Sequence, residues 1–358
     1  MNNKDNQINF AGVNIFIGID VHLKSWKVSI MIDNIMYKAF SMDPDPNQLH
    51  KYLINHFPNG NYFSAYEAGF SGFSLHRNLS KLGIKNIIVN PADIPTTDKE
   101  NRQKEDKRDS RKIARSLRNG ELTGIYIPSC EVEELRGLVR YRKKIVEDIS
   151  RQKTRIKSFL HFHGIAIPIE HTLGSQHWSS RFTAWLESIE LNTTYGASVI
   201  KSSVEVVNFQ RKKLLEINRT LKQISNEEPY GKQIKLLRSI PGIGQVVAFT
   251  LLTELEDINR FKSLDNLCSF VGLIPTTNSS GEKEKTGRIT YRRNQALRAI
   301  IVESAWVAIR HDPVLSIAYH KLCKRMQANK AIIRIAKKLL SRIRYVMKNE
   351  IEYKYVIT

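Results

Sequence analysis

The sequence predicts a mixed α/β domain first, a stalk of long helices after it, and a mainly helical C-terminal region. Three patterns lead there. Short strand-like runs alternate with helical ones up to about residue 130. Apolar residues then recur every three or four positions over 131–163, the repeat of one helix face. Finally, two apolar helical stretches meet at a tight Pro-Gly-Ile-Gly turn, residues 241–244. The domain bounds that follow are 12–130, 131–230 and 231–350.

Taken in order, residues 14–31 read NIFIGIDVHLKSWKVSIM, a buried strand over 15–19, a short turn and an alternating strand. Asp33-Asn34 is a hairpin-type turn, and a third strand follows over 35–40. Residues 47–57 are helical, 62–66 form a strand ending at Glu67, and 69–82 form a helix opened by a glycine-containing turn. A strand over 85–89 is stopped by Asn90-Pro91. Residues 106–118 (DKRDSRKIARSLR) are helical, and 125–127 make a last short strand. Hairpins followed by alternating helices and strands describe a central sheet with helices packed on it. The helix over 131–163 is long enough for a coiled-coil arm, and a second over 197–225 is expected to pair with it, antiparallel. Residues 164–190 carry no clear period.

Composition narrows the function. Of 358 residues, 41% are hydrophobic, enough to bury a sizeable core. The net charge of +21 points to a polyanionic partner, nucleic acid first and an anionic membrane surface second. No apolar run reaches the roughly 18 residues of a membrane span, and the first residues lack the layout of a signal peptide. A cytoplasmic protein without a membrane partner is the expectation, nucleoid-associated when it acts. Cys130, Cys268 and Cys323 are too scattered for a disulfide framework or a zinc site.

Four acids stand out against this basic background. Asp20 ends the first apolar strand and Glu67 ends another. A carboxylate at such a place is costly unless paired, hydrogen-bonded or metal-bound. Asp106 and Asp109 lie three apart, on one face of a helix, where like charges repel. A divalent cation over that face removes the penalty. Each acid alone has a plainer reading, as a turn former or a solvated salt-bridge partner. Together they form the pattern of a ribonuclease-H-like fold, whose carboxylates hold two Mg²⁺ (or Mn²⁺) ions for phosphodiester chemistry. Lys104, Arg108, Arg111 and Lys112 flank the pair, suited to an approaching phosphate backbone.

Three C-terminal features suit nucleic acid as well. The IPGIG turn resembles a helix-hairpin-helix element whose Gly242 and Gly244 let backbone amides approach a phosphate, although an ordinary interhelical turn has the same look. After Gly272 comes a polar loop with Ser279-Ser280-Gly281, close to Arg288 and Arg292, before a helix restarts near Asn294. Residues 320–348 carry ten Lys/Arg and no acid around an apolar stripe, an amphipathic basic helix that includes Lys337 and Lys338.

With these residues in hand, the chain resembles the DEDD transposase family of bacterial insertion sequences, which includes the pilin-gene invertase. GIDVHLKSWKV is similar to its first acidic motif, YEAGFSG to its second, and KEDKRDSRKIARSL to its Lys-x-Asp-x-x-Asp-Ala segment. IPGIG, the span from RF to VGLIP, the Ser-Gly loop and NQALR follow in the family's C-terminal order. The resemblance implies an N-terminal RuvC-like domain, a coiled-coil stalk and a C-terminal transposase domain. It also implies a bipartite site, in which Asp20, Glu67, Asp106 and Asp109 bind Mg²⁺ and Ser280 attacks the phosphate; Ser279 is the adjacent alternative. Donor and target DNA, a structured guide RNA and a homodimer pairing into a tetramer are the partners it implies. Two positions depart from the pattern: Ser110 replaces Ala, and Arg293 stands where Gly is usual. A hydrolytic RuvC-like endonuclease, a site-specific invertase and a non-catalytic binding module remain the competing readings.

Overall fold

Alternation sets the first strand. In β1 (Asn14–Val21), Ile15, Ile17 and Ile19 are fully buried on one face. Phe16, Gly18 and Asp20 lie on the other. β1 pairs antiparallel with β2 (Trp26–Ile32), which pairs antiparallel with β3 (Ile35–Met42) across a turn where Asp33 has a φ of 47°. β4 (Asn61–Glu67) and β5 (Lys85–Val89) add in parallel on the far side, giving the order β3-β2-β1-β4-β5. A five-stranded mixed sheet of this order is consistent with a ribonuclease-H-like domain.

This computed structural model describes residues 9–95, 106–172, 178–280 and 283–354, with the side chains of 106–108, 277–280 and 283–286 outside the description. The chain divides into two units, Met1–Ile127 and Pro128–Thr358.

In the first unit, α1 (Pro46–His56) and α2 (Ser74–Lys81) cover the isoleucine face of the sheet. α1 starts at a proline, which has no N–H to lose, and Asp45 accepts a hydrogen bond from Asn47 N at 2.8 Å. Leu49, Leu53, Leu75 and Leu79 share a core with Ile15, Ile17, Ile19 and Tyr66. α2 begins later than its sequence predicts, because residues 69–73 are spent in a turn where Gly72 has a φ of 57°.

α3 (Asp106–Arg118) packs on the opposite face, against β1, β2 and β4. Glycine permits this approach. A Cβ at Gly18 would lie 2.1 Å from Ser110 O and 2.4 Å from Ala114 N. The Ser110 hydroxyl shares a 2.9 Å hydrogen bond with Ser29 Oγ, and both residues are buried. The departure from alanine at 110 is therefore a polar pin between helix and sheet. The strand expected over 125–127 is reduced to a single bridge, Val89 to Gly124, and one bond from Ile125 N to Ile88 O at 2.7 Å.

The second unit is mostly helical. α4 (Cys130–Phe162) has 33 residues, α5 (Ser180–Glu187) is short, and α6 (Thr194–Ile224) has 31. α4 and α6 run antiparallel. Ile156 and Leu160, late in α4, pack with Ile200 and Val204, early in α6. At the other end Arg142 Nε donates to Asn218 Oδ1 at 2.8 Å. Trp178 and Phe182 of the α5 region join the first of these clusters.

α7 (Tyr230–Arg238) and α8 (Gln245–Leu255) meet at the Pro-Gly-Ile-Gly turn. α8 is buried from Ala248 to Leu255 and shares its core with α9 (Leu264–Val271), α10 (Gln295–His311), α11 (Pro313–Cys323) and α12 (Ala328–Asn349). Two expectations change here. The stretch after Gly272 is an antiparallel hairpin, β6 (Pro275–Ser280) with β7 (Lys283–Ile289), rather than a loop. Thr276, Thr277, Thr286 and Ile289 are β-branched, which suits a strand even where Ser, Gly and Lys dominate. The single basic helix over 320–348 is two helices, because Gln327 is extended, with ψ 145°, and no helix continues through it. No helix among the described residues is long and apolar enough to cross a membrane.

Candidate active site

Sheet register brings the strand-end acids side by side. Ile19 pairs with Tyr66 in the parallel ladder of β1 and β4. Asp20 and Glu67 are the next residues on those neighbouring strands. Asp20 shares a face with Gly18, which α3 touches. Glu67 shares a face with Ala65, which packs with Ile113 of α3. The two-residue period of a strand therefore puts both carboxylates on the α3 side.

The helix supplies the third element. Leu117, near the end of α3, lines a depression with Phe63 and Lys85, toward the starting ends of β4 and β5. Ser110 sits over Gly18, further along. α3 thus runs against the parallel strands, and its first turn, Asp106 to Asp109, lies toward the strand ends that carry Asp20 and Glu67. Asp109 is half-buried, and the Asp106 side chain is outside the described residues. Acids in a first turn also suit the positive end of a helix dipole, which is their plainer structural role.

Asp20 has a neighbour that sequence reasoning missed. His22 Nε2 lies 3.0 Å from Asp20 Oδ2, with side chains 46% and 21% exposed. The available signal was the spacing of two along an extended segment, which returns a side chain to the same face. In the antiparallel ladder Asp20 stands opposite Lys27, whose ammonium donates to Ser41 Oγ at 2.6 Å.

The donor chemistry suits a hard divalent cation. Asp20, Glu67 and Asp109 offer carboxylate oxygens, the ligand type of Mg²⁺ and Mn²⁺. Among the described residues, no three His, Cys, Asp or Glu side chains already stand together as an ion cage. The expected set includes Asp106, whose side chain is outside the description.

The remaining predicted residues are more dispersed. On α3, Arg111 is exposed and Lys112 half-buried. Lys104 and the Arg108 side chain lie outside the described residues. In the second unit, Ser280 ends β6 and pairs with Lys283 in the hairpin; its side chain and that of Ser279 are outside the description. The two glycines of the turn differ. Gly242 has a φ of 86°, and a Cβ there would lie 2.4 Å from Ser304 O, so α10 requires its smallness. Gly244 precedes α8 with nothing within 4 Å of its Cβ position, so packing does not require a glycine there. Arg288, Arg292 and Lys338 are exposed, and Lys337 is half-buried.

A buried acid also escaped the sequence reading. Glu254 receives Arg140 Nε at 2.8 Å, Arg140 Nη2 at 2.9 Å and Asn294 Nδ2 at 2.9 Å. Burial alone raises its pKa, but the Arg140 and Asn294 hydrogen bonds and the Arg140 and Arg136 charges outweigh burial and hold it below the usual glutamate range.

Comparison with known proteins shows which family the chain resembles. A transposase model of the IS110 DEDD type matches residues 17–165, and a model of the IS116/IS110/IS902 transposase family matches residues 234–321. The chain is 31% identical to a putative transposase, y4qE, of Sinorhizobium fredii, over 79% of this chain and 66% of that protein. It is 28% identical to the transposase for insertion sequence element IS1533 of Leptospira borgpetersenii, covering 82% and 84% of the two chains. It is 22% identical to the transposase for element IS1111A of Coxiella burnetii, covering 74% and 71%.

Proposed function

The chain belongs to the IS116/IS110/IS902 transposase family, and on that premise we propose that it cuts and rejoins DNA by phosphoryl transfer with Asp20, Glu67, Asp106 and Asp109 as its cation-holding acids. The observation that carries this reading is the placement of Asp20 and Glu67 on one face, at the ends of neighbouring parallel strands, under the acidic first turn of α3. Mg²⁺ or Mn²⁺ held there supplies Lewis-acid stabilisation of charge developing on the phosphate. The protein's part is preorganisation. The strands fix Asp20 and Glu67, and His22 holds Asp20 Oδ2. The surplus of 56 Lys and Arg over 35 Asp and Glu offsets the charge of the DNA backbone.

In this reading Ser280 is the nucleophile. Its oxygen bonds to phosphorus, the bond from phosphorus to one DNA oxygen breaks, and that oxygen takes up a proton. A phosphoserine link holds the strand until a DNA hydroxyl attacks it and returns the serine. Donor and target DNA are the substrates, a structured RNA encoded beside the gene selects them by base pairing, and the working form is a homodimer that assembles into a tetramer.

The test is a denaturing-gel assay for a covalent protein–DNA adduct. Wild type is expected to form one, and D20N, E67Q and S280A are expected to form none. Strand cleavage that persists in S280A with water as nucleophile contradicts the serine role and favours a hydrolytic RuvC-like endonuclease, which needs the carboxylates alone.

A further inference from the structure

Ser280 stands at the end of a lever. β6 and β7 pair from Pro275 with Ile289 at the foot to Ser280 with Lys283 at the far end. Five residue steps span roughly 17 Å at the usual strand rise. A tilt of about 10° at the foot therefore moves the far end by about 3 Å, on that same length. Misplacement of a reacting group by about 1 Å can cost roughly a hundredfold in rate. A serine carried this way needs a rigid foot.

Thr276 Oγ1 donates across the foot to Arg288 O at 3.0 Å, and the Arg298 side chain ties the foot to α10. Arg298 lies in the first turn of α10 and is half-buried. Its Nη1 donates to Gly272 O at 3.0 Å and to Thr290 O at 2.6 Å. These carbonyls belong to the segments entering and leaving the hairpin, which also meet through Thr290 N and Ile274 O at 2.9 Å. Gly272 has a φ of 83°, and a Cβ there would lie 2.4 Å from Arg293 Cβ, so the two segments touch. The start of α10 is itself anchored. Asn294 caps it by accepting from Leu297 N at 3.1 Å, and the Asn294 amide donates to Glu254, which Arg140 grips.

We propose that Arg298 is a positioning residue for the reaction: by tying both feet of the β6–β7 hairpin to α10, it aims Ser280. The proposal rests on the reading of Ser280 as the nucleophile. A merely structural arginine predicts something different, a loss of folding and of DNA binding together with rate.

The experiment uses full-length R298A, R298K and S280A. Each is incubated with Mg²⁺, a plasmid carrying the chain's own gene with its native flanks, and RNA transcribed from those flanks. Adduct formation is followed in a single turnover, plasmid binding by filter retention, and backbone hydrogen exchange by mass spectrometry. R298A is expected to keep wild-type helicity and plasmid binding, to form adduct roughly a hundredfold more slowly, and to exchange faster over residues 275–289 but not in α8. R298K keeps a charged donor and is expected to recover part of the rate. Wild-type adduct rate and hairpin protection in R298A overturn the proposal. An adduct that survives in S280A overturns the serine reading instead, and hairpin exchange in R298A then decides the clamp by itself. If R298A is recovered unfolded, R298Q replaces it and is expected to be slower than R298K; equal, wild-type rates reject the clamp.

Discussion

Two acids show how differently the two units use a carboxylate. Glu254, in the second unit, has a side chain 4% exposed and receives both nitrogens of a bidentate Arg140 and the amide of Asn294. Asp20, in the first, is 21% exposed at an open strand end, beside a half-exposed histidine. Glu254 has its charge answered inside the fold. Asp20 meets His22 at a strand end that keeps partial solvent access. The difference teaches that burial sets what a carboxylate can do: Glu254 is closed inside the core, where it serves stability, whereas Asp20 keeps solvent access at a strand end, which the proposed cation-holding role requires.

Mutation should separate the two. The largest effect is expected at the strand ends. D20N and E67Q should each lower single-turnover strand cleavage by about a thousandfold or more while barely moving the urea midpoint. A midpoint that falls as far as a core lesion would make Asp20 another Glu254 and break the comparison. E254A should do the reverse. It should cost about 3 kcal/mol in urea unfolding, the low end for a broken buried pair, because Arg140 is 55% exposed and can rehydrate. The pH dependence sharpens this. The Glu254 carboxyl is held below the ordinary value, so its stabilisation is full above about pH 4.3, the unfolded glutamate value, and is lost as pH falls through its lower folded value. E254Q should therefore flatten stability against pH in that acid range, and an unchanged acid limb would remove Glu254 from the account.

Much of this was legible in the sequence, and the reason is contrast. A lone acid closing an apolar run, as in FIGID and SAYE, stands out because burial would otherwise be costly. The long helices showed through their period. The hairpin over 275–289 did not, because its Ser, Gly and Lys content reads as loop, and its strand character rests on cross-strand partners such as Thr277 with Thr286. Glu254 was hidden at the end of an apolar helix, with a partner 114 residues away. His22 was hidden by its ordinary look in a polar turn.

Smaller effects test how α3 is seated. G18A places a methyl against the backbone at Ser110 and Ala114. It should cost about 1–3 kcal/mol by overpacking and should weaken cation binding as the first turn of α3 moves from Asp20. S110A removes a buried partner of the Ser29 hydroxyl and should cost about 1–2 kcal/mol in thermal or urea unfolding. The S29A/S110A double variant should lie closer to wild type than the summed singles, with a coupling of about 1 kcal/mol. Strict additivity would mean that the serine pair does not pin the helix.

The most direct measurement is calorimetric titration of Mn²⁺ into the full-length protein, read against D20N, E67Q, D106N, D109N and E254Q. Wild type and E254Q should bind alike, and each of the four strand-end and α3 variants should bind at least about tenfold more weakly or not at all. Wild-type Mn²⁺ affinity in D20N and E67Q would contradict a shared cation site built from those acids.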